Sequence, residues 1–377
     1  MINILHYFRK GAGMKSDIFT YEVIAKDMQN IFNRDIDINK LYDTTVLISG
    51  ATGMLASYFV IYLIWLNEFH GANIKIIALI RNEKKAKSIF GKYYDSKYFN
   101  ALFDDICAPL SINSNVDYIV HAASLASPQY YTNYPIEVAA PNALGTYYLL
   151  NLAKEKHVKG FLYFSSGDVY GKMPLGIGCF SENAMGITDP LEYHSCYGES
   201  KRMGETWCAS FYRQHKVPIC IARIAHTYGP LMDIENDPRV FASFMKCLIE
   251  NKDIVMLSDG TAKRPFCYID DAIAAFILIL INGTPGEAYN MSNTEQFISI
   301  RSLAKKILSL DKSGKLKLVI RQRDRDDNYL ENTSNKDNCL SGDKLQRLGW
   351  KCEFDVVNGF KHVFEHQMEL RNEQKLC

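Results

Sequence analysis

Tyr197 and Lys201 stand four residues apart in the run Tyr197-Gly-Glu-Ser-Lys201. On a helix they share one face, one turn apart. An ammonium beside a phenol favours the tyrosinate, so the pair is expected to lower the tyrosine's pKa and supply a base near neutral pH. Tyr-x-x-x-Lys also arises by chance on helix surfaces, so its weight comes from what precedes it. The apolar run Phe161-Leu-Tyr-Phe164 leads into Ser165-Ser-Gly-Asp-Val-Tyr-Gly171, which adds a hydroxyl at Ser166 and a carboxylate at Asp168. Far upstream, Thr45-Val-Leu-Ile-Ser-Gly-Ala-Thr-Gly-Met-Leu-Ala56 reads as a strand, a tight turn and a helix start. Gly50 permits the turn, Gly53 lets backbone approach a pyrophosphate, and Ala56 allows close helix–strand packing. Met54 opens the helix whose free N–H groups would face the phosphates.

The elements that must position these groups follow a regular rhythm. Ile74–Ile80 is a second strand, Phe103–Ile106 would end a third, and Asp117–Ser124 is a fourth, carrying Ala122 towards the pyrophosphate and nicotinamide side. Asp105 and Ile106 are placed to bracket an adenine. A helix is expected from about Pro135 to Lys156, another around Tyr197, and a strand at Ile219–Arg223. Strand and helix alternating at these intervals predict an α/β fold, a doubly wound (Rossmann) parallel sheet. From about Gly229 the rhythm turns irregular, which suits a smaller mixed α/β C-terminal substrate-binding domain. The expected division is 1–43 as a helical extension, 44–230 as the dinucleotide-binding domain, and 231–377 as mainly substrate-binding, with segments returning to the sheet. In the extension, Tyr21, Ile24, Met28, Ile31 and Phe32 recur at helical spacing after Asp17 as a possible cap, an accessory helix on the main body or at a subunit contact.

At the end of the second strand, NAD would ask for an acidic residue on the ribose. Arg81 stands there instead, followed by Lys84, Lys85 and Lys87. A basic residue tolerates a 2′-phosphate, so NADP stays open beside NAD; the alternative is a solvated helix start.

Composition narrows the class. The chain has 377 residues, 47% hydrophobic and 23% charged, which fits an ordinary globular protein. A formal charge of +1 gives no field pointing to nucleic acid or a membrane surface. Ten cysteines are scattered without a CxxC pair and read as reduced thiols in a cytoplasmic protein. The longest apolar runs fall short of the ~20 residues that span a bilayer, and the N-terminus lacks the order of a signal peptide. His362 and His366 could share a helix face, but with no third ligand nearby no metal is expected. The polar stretch Arg321–Lys336 is expected to be an exposed loop.

The segments His121-Ala-Ala-Ser-Leu-Ala-Ser-Pro128, Tyr134-Pro-Ile136, Ser165–Gly171, Ser195-Cys-Tyr-Gly-Glu-Ser-Lys-Arg202, Ala222–Pro230, Arg239-Val-Phe and Asp259–Phe266 together resemble the extended short-chain dehydrogenase/reductase superfamily. Over about residues 44 to 310 the likeness is to its nucleotide-sugar epimerase/dehydratase branch, and within that to UDP-glucuronate decarboxylases. The resemblance implies NAD-dependent transient oxidation at sugar C4. Tyr197 would take the hydroxyl proton, Lys201 would hold the nicotinamide ribose, and Ser166 would hydrogen-bond the reacting oxygen. Ser127, Arg239 and Arg264 would meet the nucleotide-diphosphate sugar. It also implies a homodimer joined through helices beginning near Pro135 and Tyr197. The chain departs from the decarboxylase Thr-Ser-Glu and the dehydratase Thr-Asp-Glu with Ser166-Gly167-Asp168. Gly167 has no group to protonate a leaving 6-hydroxyl, and Asp168 is one methylene short. Epimerisation therefore stays open beside decarboxylation, as do 4,6-dehydration, through the near likeness to dTDP-glucose 4,6-dehydratases, and a non-catalytic dinucleotide sensor.

Overall fold

Every residue of the first strand, Thr45–Ser49, is buried. A strand enclosed on both faces needs apolar side chains on both, and Val46, Leu47 and Ile48 supply them. The computed structural model describes residues 17–172, 178–192, 194–321, 337 and 339–376. The main sheet contains β1 (Thr45–Ser49), β2 (Lys75–Leu79), β3 (Phe99–Leu102), β4 (Tyr118–His121), β5 (Gly160–Ser166), β6 (Ile219–Ile224) and β10 (Ala288–Met291). Its order is β10-β6-β5-β4-β1-β2-β3, and every pairing is parallel. This is the doubly wound α/β sheet. The order reverses between β1 and β4, which opens a crevice at their carboxyl ends, where such sheets bind ligands.

Beside it, β7 (His226–Tyr228), β9 (Lys263–Tyr268) and β11 (Phe297–Ser299) form a three-stranded sheet. A two-stranded parallel sheet joins β8 (Ile254–Met256) and β12 (Leu318–Ile320). The helix Met54–His70 is buried on all sides from Ala56 to Leu66, so it must be covered away from the sheet as well. The helix Glu22–Phe32 helps to cover it: Phe32 meets Trp65 edge-on at 5.3 Å. The same N-terminal helix packs on the helix Ile269–Asn282 through buried Ile24, Met28 and Ile31.

That helix is also fixed by buried charge. Asp27 accepts hydrogen bonds from Tyr58 and Tyr268, the latter at 2.6 Å, and lies 3.0 Å from His362 Nδ1. Arg34 bonds Asp270 and Asp271, the latter at 2.7 Å, with all three side chains buried. His362 is thereby committed to Asp27. Among the described residues no cluster of three His, Cys, Asp or Glu could hold a metal, and no helix is long and apolar enough to cross a membrane.

Several local expectations are corrected. Asp17 caps the short 3-10 turn Ile18–Thr20, accepting from Phe19 N at 3.0 Å, rather than the helix that follows. β3 ends at Leu102, residues 103–105 are irregular, and a turn begins at Ile106. The helix expected from Pro135 to Lys156 is interrupted by a π turn at Pro141–Gly145, where the proline has no N–H to give. The cysteines are not all reduced: Cys179 and Cys339 form a disulfide with Cα atoms 4.4 Å apart. A sequence separation of 160 hides that meeting, which the fold alone creates. Of the polar stretch, residues 322–336 lie outside the described residues.

Candidate active site

The turn after β1 is shaped for close approach. Gly50 has φ +64°, a conformation that favours glycine, and a Cβ there would lie 2.7 Å from Ala123 Cα. Gly53 is the N-cap of Met54–His70, so Met54 opens that helix at the crevice, and Ala56 is buried beneath it. The facing loop after β4 is held by His121. Its Nε2 lies 3.1 Å from the Pro141 carbonyl, which can only accept, so the proton sits there and Nδ1 accepts from Ser49 Oγ at 2.8 Å. Burial first, and then the Lys201 charge, push His121 down to about 3, which keeps it neutral. Ser49 Oγ in turn accepts from the N–H groups of Ala122 and Ala123 at 3.1 and 3.2 Å. Further along the same loop, the hydroxyls of Ser124 and Ser127 are buried and make no hydrogen bond among the described residues. A glycine cradle, a helix N-terminus and two orphaned hydroxyls suit a dinucleotide and the group that reacts with it.

The helix Ser195–His215 carries Tyr197 and Lys201 on one buried face. Lys201 is 3% exposed; its Nζ donates to the Phe164 carbonyl at 2.6 Å and lies 5.7 Å from the centre of the Tyr197 ring. Burial pulls its pKa down to about 7, against the charge of Glu205 one turn later. Glu205 is itself bound by Ser165 at 2.6 Å and by both arms of Arg223 at 3.0 and 2.7 Å, so the helix is riveted to β5 and β6. Gly198 brings the helix onto the loop after β5, where a Cβ would sit 3.1 Å from the Asp168 carbonyl.

The loop Gly167–Tyr170 is a 3-10 turn capped by Ser166, whose Oγ accepts from Asp168 N at 3.2 Å. Ser166 also lies close enough to Tyr197 to pull its phenol down. The expected lowering of the tyrosine pKa by Lys201 is corrected here. Burial, and then the Asp168 charge, raise the phenol, outweighing Ser166 and Arg239, which pull it down. Lys201 donates to a carbonyl rather than to the phenol and does not offset the burial of Tyr197, so the protein alone leaves Tyr197 protonated. The Asp168 side chain is open to the cleft, yet desolvation by its surroundings raises its carboxyl, opposed by Arg264.

Arg239 and Arg264 close the other side. Arg239 Nε donates to both oxygens of Asp237 at 2.9 Å, and its charge reaches Tyr197 and Tyr131. Arg264, on β9, donates to the Lys263 carbonyl at 2.7 Å. His226, at the start of β7, is pushed down to about 3 by burial and then by these two arginines, so it too is neutral.

Tyr197, Lys201, Ser166, Asp168, Arg239 and Arg264 thus face one cleft, with Gly50, Gly53, Met54, Ala122 and Ser127 along its crevice side. Arg81 is exposed just past β2. Asp105 is exposed and caps its own turn, accepting from Cys107 N at 2.9 Å, whereas Ile106 is buried against Gly145. One participant escapes the sequence reading. Tyr131 stacks on Tyr197, 5.0 Å between centroids and 12° between planes. Its only sequence signal is its place between Pro128 and Pro135, in the gap between two segments that carry the resemblance.

A Rossmann sheet with a Ser-Tyr-Lys set at its crevice defines a dinucleotide-dependent oxidoreductase-like enzyme class. The model of the NAD dependent epimerase/dehydratase family matches residues 46–292, and the chain belongs to that family. It is 32% identical over 255 residues to UDP-glucuronic acid decarboxylase 5 of Arabidopsis thaliana, covering 68% of this chain and 71% of the relative. It is 25% identical over 339 residues to dTDP-D-glucose 4,6-dehydratase of Homo sapiens, covering 86% and 90%. Among solved structures, UDP-glucuronic acid 4-epimerase from Bacillus cereus in complex with NAD superposes with a TM-score of 0.68 at 20% identity, over 86% of this chain and 99% of that one.

Proposed function

We propose that this chain is a nucleotide-sugar enzyme that oxidises its substrate transiently at C4 with NAD, and that its reaction is decarboxylation of a UDP-glucuronate-like sugar. The observation that carries the reading is the convergence of Tyr197 and Ser166 on one point, with Lys201 behind them and the Gly50 turn alongside. Bound NAD would accept the C4 hydride and later return it. Tyr197 would take the C4 hydroxyl proton as the tyrosinate, a form that the positive charge of oxidised nicotinamide would favour beside it, and Ser166 would donate to the same oxygen as its charge develops. Lys201, held by the Phe164 carbonyl, is placed to bond the cofactor's ribose. Arg239 and Arg264 suit the diphosphate, because a guanidinium fork matches phosphate oxygens. With C4 a ketone, a C5 carboxylate is a β-keto acid and leaves as CO2.

Relatives similar to this chain are named decarboxylases, 4,6-dehydratases and 4-epimerases. Gly167, walled by Leu340, argues against dehydration, since neither residue can protonate a leaving hydroxyl. Asp168 in the cleft supports C5 chemistry; 4-epimerisation is the second reading, favoured by the glycine beside it. The intact Ser-Tyr-Lys set counts against a mere sensor. Residues 44–230 would be the cofactor body and 231–377 mainly the substrate side.

A homodimer is part of the proposal. Ile136 and Leu144 are 77% and 50% exposed and adjoin Pro135, Ala139, Ala140 and Ala143 in one apolar face. A cytoplasmic setting is proposed from the seven further described cysteines that stay free.

The test is to incubate the purified protein with UDP-glucuronate, UDP-glucose and dTDP-glucose and to identify products by NMR and mass spectrometry. UDP-xylose and CO2, without added reductant, are expected. If UDP-glucuronate stays unchanged while another sugar nucleotide is converted, the decarboxylase reading is wrong. If none reacts, the nucleotide-sugar reading fails as a whole.

A further inference from the structure

The Cys179–Cys339 disulfide lies against the catalytic loop. Around it, Phe180 N donates to the Cys339 carbonyl at 2.8 Å and Ser341 N to the Phe180 carbonyl at 2.9 Å. The amide of Asn290 spans both strands of this bridge, donating to the Phe180 and Ser341 carbonyls at 2.9 and 3.1 Å. Between the two anchors, Leu340 is 2% exposed and packs with Val169, Tyr170 and Phe180. It also covers Gly167, where a Cβ would lie 3.1 Å from Leu340 Cδ1. Gly167 stands between Ser166 and Asp168. On the other flank, Asp337 accepts from Lys263 N at 3.1 Å, next to Arg264. This short segment therefore touches two walls of the cleft, and the disulfide is its covalent tie to the body. The two sulfurs differ in access: Cys179 is exposed, whereas Cys339 is buried.

We propose that Cys179–Cys339 is a thiol–disulfide exchange site, attacked at Cys179 by an external dithiol, and that its state controls the catalytic loop through Leu340. The exchange balances without another reactant. A thiolate of the dithiol attacks Cys179 Sγ; the Cys179–Cys339 bond breaks, a mixed disulfide forms at Cys179, and Cys339 leaves as a thiolate that takes a proton from water. The second thiol of the dithiol then displaces Cys179 as a thiol and closes the reagent's own disulfide. Two electrons have passed from the dithiol to the protein. In the oxidised form Leu340 is pressed on Gly167, which fixes Ser166 and Asp168 relative to Tyr197. In the reduced form the segment keeps the Asn290 bridge, two backbone bonds, the Asp337–Lys263 bond and the packing of Leu340 but loses its covalent cross-link, so the loop loosens. Exposed disulfides among otherwise free thiols are the exchangeable kind.

The inference rests on the nucleotide-sugar reading only for its kinetic readout, so a second readout needs no substrate. The full chain is compared as air-oxidised protein and after dithiothreitol, with thiol status mapped by alkylation and mass spectrometry. Amide exchange is followed at residues 166–171, and kcat and KM are measured with whichever sugar nucleotide is turned over. Reduction is expected to speed exchange at 166–171 at least tenfold and to raise KM at least fivefold, with reoxidation restoring both. Cys179→Ser should show the reduced values and ignore dithiothreitol, whereas Cys247→Ser should respond as the parent does. Loop exchange that responds to dithiothreitol in a protein turning over no sugar nucleotide would support the exchange site while removing the functional reading. The proposal is overturned if oxidised protein does not pair Cys179 with Cys339, or if loop exchange is the same in both states.

Discussion

The rings of Tyr131 and Tyr197 lie nearly parallel, 12° apart, so one tyrosine is the floor on which the other rests. Tyr131 comes from the short helix Pro128–Asn133 after β4, and Tyr197 from the helix after the β5 loop, so the stack joins the two sides of the crevice. Burial, and then the charges of Tyr197 and Asp168, raise the Tyr131 phenol well above its ordinary value, so it stays neutral. An aromatic pair is worth about 0.5–1.5 kcal/mol beyond its buried area. Tyr131→Leu should lower kcat roughly fivefold to tenfold by letting the Tyr197 ring tilt, while Tyr131→Phe, which keeps the stack, should stay within about twofold. Steady-state kinetics of the two variants side by side check this, and equal losses in both would show that the hydroxyl matters instead.

Asp168 opposes the ionisation of Tyr197 across the cleft. The sign is direct: removing a negative charge stabilises the tyrosinate and lowers the phenol's pKa. Asp168→Asn should therefore move the acid limb of the kcat–pH profile to lower pH. If C5 chemistry relies on the carboxylate, CO2 release should collapse in the same variant, whereas 4-epimerisation should survive. Tyr197→Phe should lose about 10²–10⁴ in kcat in either case while still retaining cofactor.

Lys201 carries a pKa lowered by burial to about 7. An unfolded chain would hold that proton until near pH 10.5, so between about 7 and 10.5 the unfolded state binds more protons and stability rises with pH. The penalty of burying the ammonium is fully present below 7. Lys201→Met should accordingly raise the Tm of cofactor-free protein at pH 6 and bring little gain near pH 10, even as it removes activity. Thermal scans of both proteins across that range test the sign.

Arg34 neutralises Asp270 and Asp271 under the N-terminal helix, all three side chains being buried. Breaking such a set by removing one partner costs about 3–5 kcal/mol. Burial raises both carboxyls, and Arg34 holds them down. Without it their folded pKa values climb further, so protonation on acidification relieves the strain. Arg34→Ala should be most destabilising at neutral pH, with the gap to the parent closing towards pH 4. Denaturant titrations at pH 7 and pH 4.5 would reveal it, and a gap that widens on acidification would refute this account.

The parts of this molecule that are legible in its sequence are those built from contiguous runs. β1, β2, β4 and β6 are apolar and β-branched, β5 is apolar and aromatic, and Gly50 announces its turn because no other residue is comfortable at φ +64° so near Ala123. Tyr197 and Lys201 are legible because helical spacing alone puts them on one face. What the sequence conceals is whatever the fold brings from afar. β10 joins the sheet beside β6 after an excursion through two smaller sheets. Leu340 reaches Gly167, and Cys179 reaches Cys339, with no local pattern to mark either meeting. The sign of the Tyr197 shift is hidden for a related reason: spacing reveals the lysine nearby, but not the carbonyl that accepts its hydrogen bond or the carboxylate across the cleft.

Asp27 sets a condition on how the chain can be made. Two of its partners, Tyr268 and His362, follow it by 241 and 335 residues. A carboxylate cannot be buried comfortably before its donors exist, so the first helix of a growing chain has no finished place to dock. Its seat is finished only when the helix Val356–Leu376, which carries His362, is in place. A chain lacking Tyr268 and His362 would leave this carboxylate without two of its partners, and the helix that carries it would dock loosely.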